Sequence, residues 1–164
     1  MKAHPHPRQI NRNSYSKLLR AIENGNCQDA SMFLDNYATY LGWGCTRKAY
    51  LINLEGYEPF VLKIEWQPEK YNYIAQNRKE VRTWLNNDHK FLPDIYDWDT
   101  KNRLTKWIEV EYIHPTKGMP LNKEINAIIK KLNLYGDVYE NRHWGKNSRG
   151  HYKLIDFGIS KNQF

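Results

Sequence analysis

Two apolar runs joined by a short turn constrain the fold of this chain more than any other feature. Residues Lys48–Leu54 and Phe60–Trp66 are rich in aliphatic and aromatic side chains, and Glu55–Pro59 between them contains glycine and proline. Runs of this length bounded by turn residues are typical of β-strands, and so short a connection requires the two strands to be antiparallel. The sequence therefore predicts an antiparallel β-hairpin.

Further strands and one helix extend this hairpin. The sequence predicts a strand at Thr39–Leu41 before it and two more after it, at Ile95–Trp98 and Leu104–Ile113. Between the hairpin and these last strands, a helix is expected over Pro68–Asn86, because proline is well tolerated in a first helical turn. We therefore expect an α+β fold in which residues 39–113 form five antiparallel strands with one inserted helix.

Residues 1–38 are predicted to form a helical extension. One helix is expected from Asn13 or Ser14 to Asn24, where Gly25 ends it, and a second over Cys27–Tyr37. The first twelve residues are polar and interrupted by proline, so we expect them to be loose. These helices carry no recognisable chemistry and are expected to pack on the strands or to present a surface to a partner.

Residues 114–164 complete the predicted organisation. A third helix begins near Asn122, and the apolar pairs Trp144-Gly145 and Leu154-Ile155 flank a polar turn and predict a hairpin. That hairpin leads directly into Asp156-Phe157-Gly158. An aspartate on a turn after a buried strand holds its carboxylate in a fixed place, as a Mg²⁺ ion on nucleotide phosphates requires.

Composition limits the class of protein. The chain has 164 residues, a formal net charge of +7 and 14% aromatic residues, which fits one compact folded domain. Its two cysteines, Cys27 and Cys45, are far apart and predict neither a disulfide framework nor a zinc site. Because no long apolar run or signal peptide is found, we expect a cytoplasmic protein without a membrane span. The positive charge attracts nucleotides, nucleic acids and acidic proteins alike.

Several polar and glycine-rich features follow one another in a fixed order. They are Gly42-Trp43-Gly44, Lys63 in an apolar strand, Glu80 in the predicted helix, Tyr135-Gly136-Asp137 followed by Asn141, and Asp156-Phe157-Gly158. An ammonium group in a strand that faces a core requires a partner, and Glu80 on the following helix is the natural one. The alternative for Lys63 is the exposed face of its strand.

In this order the features resemble the signature of the eukaryotic-like protein kinase superfamily, including its aminoglycoside-phosphotransferase branch. The resemblance covers residues 40–158. It implies a kinase-like fold with residues 39–113 as the small lobe and 114–164 as a large lobe truncated after the Asp-Phe-Gly triplet. Compact kinase-like proteins carried by bacteriophages look similar. The resemblance also implies ATP and Mg²⁺ as cofactors.

The resemblance assigns the nucleotide contacts. Gly42 and Gly44 would cover the phosphates of ATP, and Lys63 paired with Glu80 would position them. Arg47 stands where the family has its third glycine, so its guanidinium would contact phosphate or hinder the loop.

The same resemblance assigns the adenine contacts. Val110 aligns with the gatekeeper position, and the backbone groups of Glu111 and Ile113 would contact adenine. An ordinary β-strand is the alternative for these three residues.

The remaining assignments concern chemistry. Asp137 would orient or accept the proton of the attacking hydroxyl, and Asp156 with Asn141 would hold Mg²⁺. In the family the metal-binding asparagine falls five positions after the aspartate. Here Asn141 falls four positions after Asp137, and Arg142, which cannot bind a cation, stands at the fifth. This departure puts turnover in question.

Three functions are consistent with the sequence. The first is an ATP-dependent phosphotransferase that acts on a protein Ser/Thr, on itself or on a small molecule. The second is a pseudokinase-type protein that binds, inhibits or redirects a host protein with little or no turnover, since no activation segment follows the Asp-Phe-Gly triplet in this sequence. The third, not favoured, is a basic module that associates with nucleic acid.

Overall fold

The computed structural model describes residues 7–43, 47–66, 75–134 and 136–155, with the backbone alone at residues 43, 136 and 137. Within these residues the chain is α+β. The strands are β1 (Gln9–Ile10), β2 (Thr39–Trp43), β3 (Arg47–Leu54), β4 (Phe60–Glu65), β5 (Ile95–Trp98), β6 (Trp107–Glu111), β7 (His114–Pro115), β8 (Trp144–Lys146) and β9 (Tyr152–Leu154). The helices are α1 (Arg12–Glu23), α2 (Cys27–Tyr37), α3 (Gln76–Asn86) and α4 (Asn122–Leu132).

The larger sheet contains the predicted antiparallel strands and one strand that the sequence did not reveal. Its order is β1-β3-β4-β6-β5, and β2 also pairs with β3. Neighbours among β2 to β6 are antiparallel, and α3 lies between β4 and β5 in the chain, as expected. The two-residue β1 runs parallel to β3. The expectation that residues 1–12 are loose is therefore wrong at β1, because Ile10 is buried in the core.

Both faces of this sheet are covered, and every residue of β4 is buried. One face packs against α1 and α2, in a cluster that includes Leu18, Leu34, Ile52 and Leu62. The other face belongs to a second cluster, which joins residues of β6, α3, α4 and the β8–β9 hairpin. Along β4 the period of two sends Phe60, Leu62 and Ile64 into the first cluster, and directs Lys63 and Glu65 to residues of α3 on the other face.

The second, smaller sheet consists of β7, β8 and β9. The predicted hairpin is confirmed, since β8 and β9 are antiparallel. Two contacts attach this hairpin to the segment before β5: the Leu154 backbone N–H donates to Phe91 O at 2.8 Å, and the buried Lys153 ammonium donates to Leu92 O at 2.8 Å. These bonds fix the place at which the chain leaves β9.

The helices begin and end largely where local sequence signals place them. The Asn11 side chain accepts from the Ser14 N–H at 2.8 Å and caps α1, so the predicted start at Asn13 or Ser14 is wrong and the helix begins at Arg12. The helix ends before Gly25, which has a φ of 77°, as expected. The predicted bounds of α2 are confirmed. Within the described part of the chain, no helix is long and apolar enough to cross a membrane.

Boundaries predicted around α3 and β6 differ from the observed ones, and β6 ends at Glu111 and not at Ile113. Helix α3 starts at Gln76, because Ala75 has non-helical backbone angles, and the predicted start at Pro68 lies outside the described residues. Strand β6 starts at Trp107 and not at Leu104, because the preceding residues form a turn around Asp99, whose carboxylate accepts from the N–H groups of residues 101, 102 and 106. In that turn Thr105 has a φ of 52°, which a strand does not allow.

Candidate functional site

A buried ion pair joins the sheet to α3. The Lys63 ammonium lies 3.0 Å from both carboxylate oxygens of Glu80. Glu80 is fully buried and Lys63 is 7% exposed, so the alternative that Lys63 points to solvent is wrong. The pairing that the sequence predicts is present, because β4 directs Lys63 away from the α1 side and α3 directs Glu80 toward the sheet.

Arg47 contacts the same carboxylate. Its Nη2 lies 2.9 Å from Glu80 Oε1, and its Nη1 donates to Asn77 Oδ1 at 3.2 Å. The guanidinium is 6% exposed. The sequence predicted a contact with phosphate or a hindrance of the glycine-rich turn, and it did not reveal that Arg47 shares Glu80 with Lys63.

Asn77 fastens the first turn of α3 to its surroundings. Its side chain is fully buried and donates to the backbone oxygens of Lys63 at 3.2 Å and Thr105 at 3.0 Å. Its own N–H donates to Glu65 Oε1 at 2.7 Å. A carboxylate at this place satisfies a first-turn N–H and interacts favourably with the helix dipole. The start of α3 is thus set by a residue of β4.

A cleft of about 310 Å³ opens beside Lys63. Apolar side chains from four strands line it, namely Leu41, Ala49, Val61 and Val110, together with Ile113 beyond β6. Arg47 and Lys63 also line it and bring positive charge. Its volume lies at the lower end of the range for pockets that bind small ligands. The arrangement combines an apolar surface with cations, which suits a ligand that has a flat apolar part and an anionic part.

Gly42 lies on the rim of this cleft, at an irregular point of the β2–β3 pairing. Its φ of 153° is a backbone conformation that residues with a side chain rarely adopt, although a Cβ would meet nothing within 4 Å. Glycine is therefore required here by conformation and not by crowding. Gly44, the second predicted glycine, lies outside the described residues.

The C-terminal hairpin also reaches the ion pair. The Lys63 ammonium donates to Ile155 O at 3.0 Å, and the Ile155 N–H donates to His143 O at 2.9 Å. Ile155 lines the cleft and directly precedes Asp156 in the chain. Asp156 itself lies outside the described residues, so its predicted role as a metal ligand stays a prediction.

The other predicted catalytic residues lie in two short 3₁₀ turns. Asp137 belongs to the turn Gly136–Tyr139, where only its backbone is described, and Asn141 begins the turn Asn141–His143. Asn141 is exposed, and its turn ends at His143, whose carbonyl binds Ile155. Within the described residues, no three His, Cys, Asp or Glu side chains come together as a metal site.

The last residue of β6, Glu111, is fixed by hydrogen bonds to its carboxylate. Glu111 Oε1 accepts from Asn147 Nδ2 at 3.0 Å, and Glu111 Oε2 accepts from the Asp94 N–H at 3.2 Å. Asn147 is buried in the β8–β9 turn. The sequence assigned only backbone contacts to Glu111 and gave no signal for Asn147, because that turn reads as ordinary polar sequence. These bonds fasten the end of β6, which lines the cleft, to the β8–β9 turn and to the residue before β5.

Comparison with known proteins does not assign a family. No protein-family model matches the chain, and no curated protein is significantly similar to it. The function has to be argued from the chemistry of the cleft and of the residues around it.

Proposed function

We propose that this protein is an ATP-dependent, kinase-like phosphotransferase with the small and large lobes that its sequence motifs imply. The observation that carries the proposal is the buried Lys63–Glu80 pair at the cleft, with Lys63 also bonded to Ile155, the residue before Asp156. Burying an ion pair costs desolvation energy and contributes little to stability, so such a pair favours a functional role.

The lining of the cleft supports a purine nucleotide as ligand. Val61, Val110 and Ile113 offer an apolar surface on which a flat base can stack, and the backbone at Glu111 and Ile113 is proposed to contact its edge. Lys63 supplies a cation for the phosphates. The described residues therefore fit ATP better than they fit a wholly apolar ligand.

The proposed reaction moves the γ-phosphoryl group of ATP to a hydroxyl group and releases ADP and a proton. Lys63, oriented by Glu80, binds the phosphates, and Asp137 accepts the proton of the attacking hydroxyl. Asp156 and Asn141 are the residues proposed to hold Mg²⁺, which would neutralise charge on the phosphates. The acceptor is a Ser/Thr of a protein partner or of this chain, or a small-molecule hydroxyl.

Transfer of labelled phosphate tests this proposal. The wild-type protein is incubated with γ-labelled ATP and Mg²⁺, alone and with cell lysate, beside Lys63→Met, Asp137→Asn and Asp156→Asn. We expect label on the protein or on a lysate component, and a loss on the order of 100-fold in each variant. Lys101→Met, which changes a lysine whose side chain is 70% exposed, serves as the control. Label that is insensitive to Asp137→Asn contradicts the proposal.

A pseudokinase-type binding protein is the second candidate, favoured by the residues near the metal position. Arg142 stands where the family has its metal-binding asparagine, and its Nε lies 2.6 Å from Glu140 Oε2. In that case ATP raises the melting temperature of the wild-type protein but no label is transferred. A stable complex with a host protein, unaffected by Asp137→Asn, would then identify binding as the function.

A further inference from the structure

Arg47 makes contacts that neither the nucleotide nor the proposed chemistry requires. It belongs to β3, and its guanidinium binds two residues of α3 at once, Glu80 Oε1 at 2.9 Å and Asn77 Oδ1 at 3.2 Å. Asn77 and Glu80 are three positions apart and lie on one face of the helix. A planar guanidinium with several fixed donors suits such a double contact, which a lysine ammonium cannot reproduce in the same geometry.

The neighbouring strand contributes a second attachment to the same turn. Arg47 lies directly opposite Glu65 in the β3–β4 pairing, and Glu65 accepts from the Asn77 N–H at 2.7 Å. The end of this hairpin therefore binds the helix through a cation and a carboxylate, both of them buried. We call this arrangement of Arg47, Glu65 and Asn77 the α3 clamp.

The clamp bears on Lys63 because Glu80 is shared. Lys63 donates to both Glu80 oxygens, and so its position depends on where α3 lies relative to β4. A helix held at its first turn by buried charged groups keeps Glu80 beside Lys63 in the free protein. The ion pair is thus assembled before any ligand or partner arrives, which lowers the cost of binding an anionic group.

We propose that Arg47 is a positioning residue of the nucleotide site: through the α3 clamp it keeps Glu80, and thereby Lys63, in place for the phosphates without an activating partner. The choice of a nucleotide as the ligand rests on the proposed function. The clamp itself is a property of the fold and can be tested without any nucleotide.

Hydrogen exchange of the α3 amides tests the clamp in the free protein. In Arg47→Met we expect α3 amides to exchange about 10-fold faster or more than in the wild type, while α4 amides change little. Arg47→Lys should fall between the two. Arg78→Met is the control, because Arg78 lies on the same helix and makes an exposed contact to Arg103 O. Unchanged α3 exchange in Arg47→Met and Arg47→Lys overturns the clamp.

Calorimetric binding of ATP and adenosine separates positioning from a general loss of structure. We expect Arg47→Met to weaken the binding of ATP about 10-fold or more and the binding of adenosine less than twofold, because Lys63 binds phosphates and adenosine has none. Arg47→Lys should recover part of the ATP affinity. An equal loss for both ligands overturns the positioning role, as does a loss for ATP with unchanged α3 exchange.

The two proposals fail in different ways. If the wild-type protein binds neither ATP nor adenosine, the proposed function fails, and the exchange comparison still decides whether Arg47 clamps α3. If Arg47→Met does not fold, the same measurements on Arg47→Lys decide whether Arg47 clamps α3. That variant keeps the positive charge and loses only the planar guanidinium with its several donors. A wild-type protein that binds ATP, with a variant that binds it equally well, overturns the inference about Arg47 alone.

Discussion

The two faces of β4 consist of different kinds of side chain, although they belong to the same six residues. Phe60, Leu62 and Ile64 pack among apolar residues beneath α1 and α2. Val61, Lys63 and Glu65 alternate with them and face the cleft and α3, where two of the three are charged. All six are buried.

The difference separates stability from recognition within one strand. Apolar burial is non-directional and stabilises the fold in proportion to the area removed from water. Buried charges contribute little net stability, but they fix one geometry, because each must meet a partner at a definite distance. Substitutions on the α1 side of β4 are therefore expected to change stability and leave the cleft intact, and changes of charge on the cleft side are expected to disturb both.

The largest effect is expected on the charged face. Glu80→Ala leaves Arg47 and Lys63 buried without the carboxylate they share, and removal of one partner of a buried pair typically costs about 3–5 kcal/mol. Urea denaturation should show a loss of that size. Glu124→Ala is the matched control, because its pair with Lys90 is at the surface, where solvent screens the interaction and its loss changes stability little. Equal losses for the two variants would contradict the expected asymmetry.

A somewhat smaller effect is expected on the apolar face. Leu62 is fully buried, and Leu→Ala substitutions in cores cost about 2–5 kcal/mol, so we expect about 3 kcal/mol by urea denaturation. Affinity of the remaining folded protein for ATP should stay within about twofold, because the side chain points away from the cleft. Leu85→Ala is the control, since Leu85 is 59% exposed. If Leu62→Ala abolishes ATP binding by folded molecules, the two faces are not separate.

The sequence predicts best those features that depend on neighbouring residues. The hairpin of β3 and β4 and the bounds of α2 follow from local patterns of apolar residues, turns and caps. Lys63 and Glu80 could also be found, because a charge in an apolar strand requires a partner from the next element. The strand period places Lys63 and the helix period places Glu80 on facing surfaces, so a single long-range contact completes the pair.

Other features depend on contacts between distant residues and leave no local signal. The start of α3 is set by Glu65, and the direction of the Arg47 side chain by Glu80 and Asn77. Asn147 donates to Glu111 from a turn 36 positions further along the chain, and a two-residue strand such as β1 is too short to show a period. The predicted roles of Gly44, Asp137 and Asp156 stay predictions.

The smallest effect concerns a polar pair on the apolar face. Glu109 lies opposite Leu62 in the β4–β6 pairing, and its Oε1 accepts from the Tyr15 hydroxyl of α1 at 2.8 Å. Burial, with a smaller contribution from Asp97, raises the pKa of Glu109 above its ordinary value, although the Tyr15 hydrogen bond opposes this. Glu109 is therefore an ionisable group on the otherwise apolar face. Its effect on stability as a function of pH can be compared with that of a charged group elsewhere.

The sign of its pH dependence follows from that shift. Between the ordinary and the raised pKa the folded protein binds more protons at Glu109 than the unfolded chain does, so its contribution to stability falls as pH rises through this window. The difference in unfolding free energy between wild type and Glu109→Gln, measured in urea from pH 4 to 8, should therefore decrease with pH. For Glu124→Gln the difference should instead rise with pH, because the hydrogen bond from Lys90 lowers the pKa of Glu124 below its ordinary value of 4.5. That rise lies below about pH 4.5, so the series for this control is extended to lower pH. A difference for Glu109 that rises with pH would mean that the fold stabilises this carboxylate in its charged form, and the contrast between the apolar face and the ion-paired face of the sheet would not hold at this position.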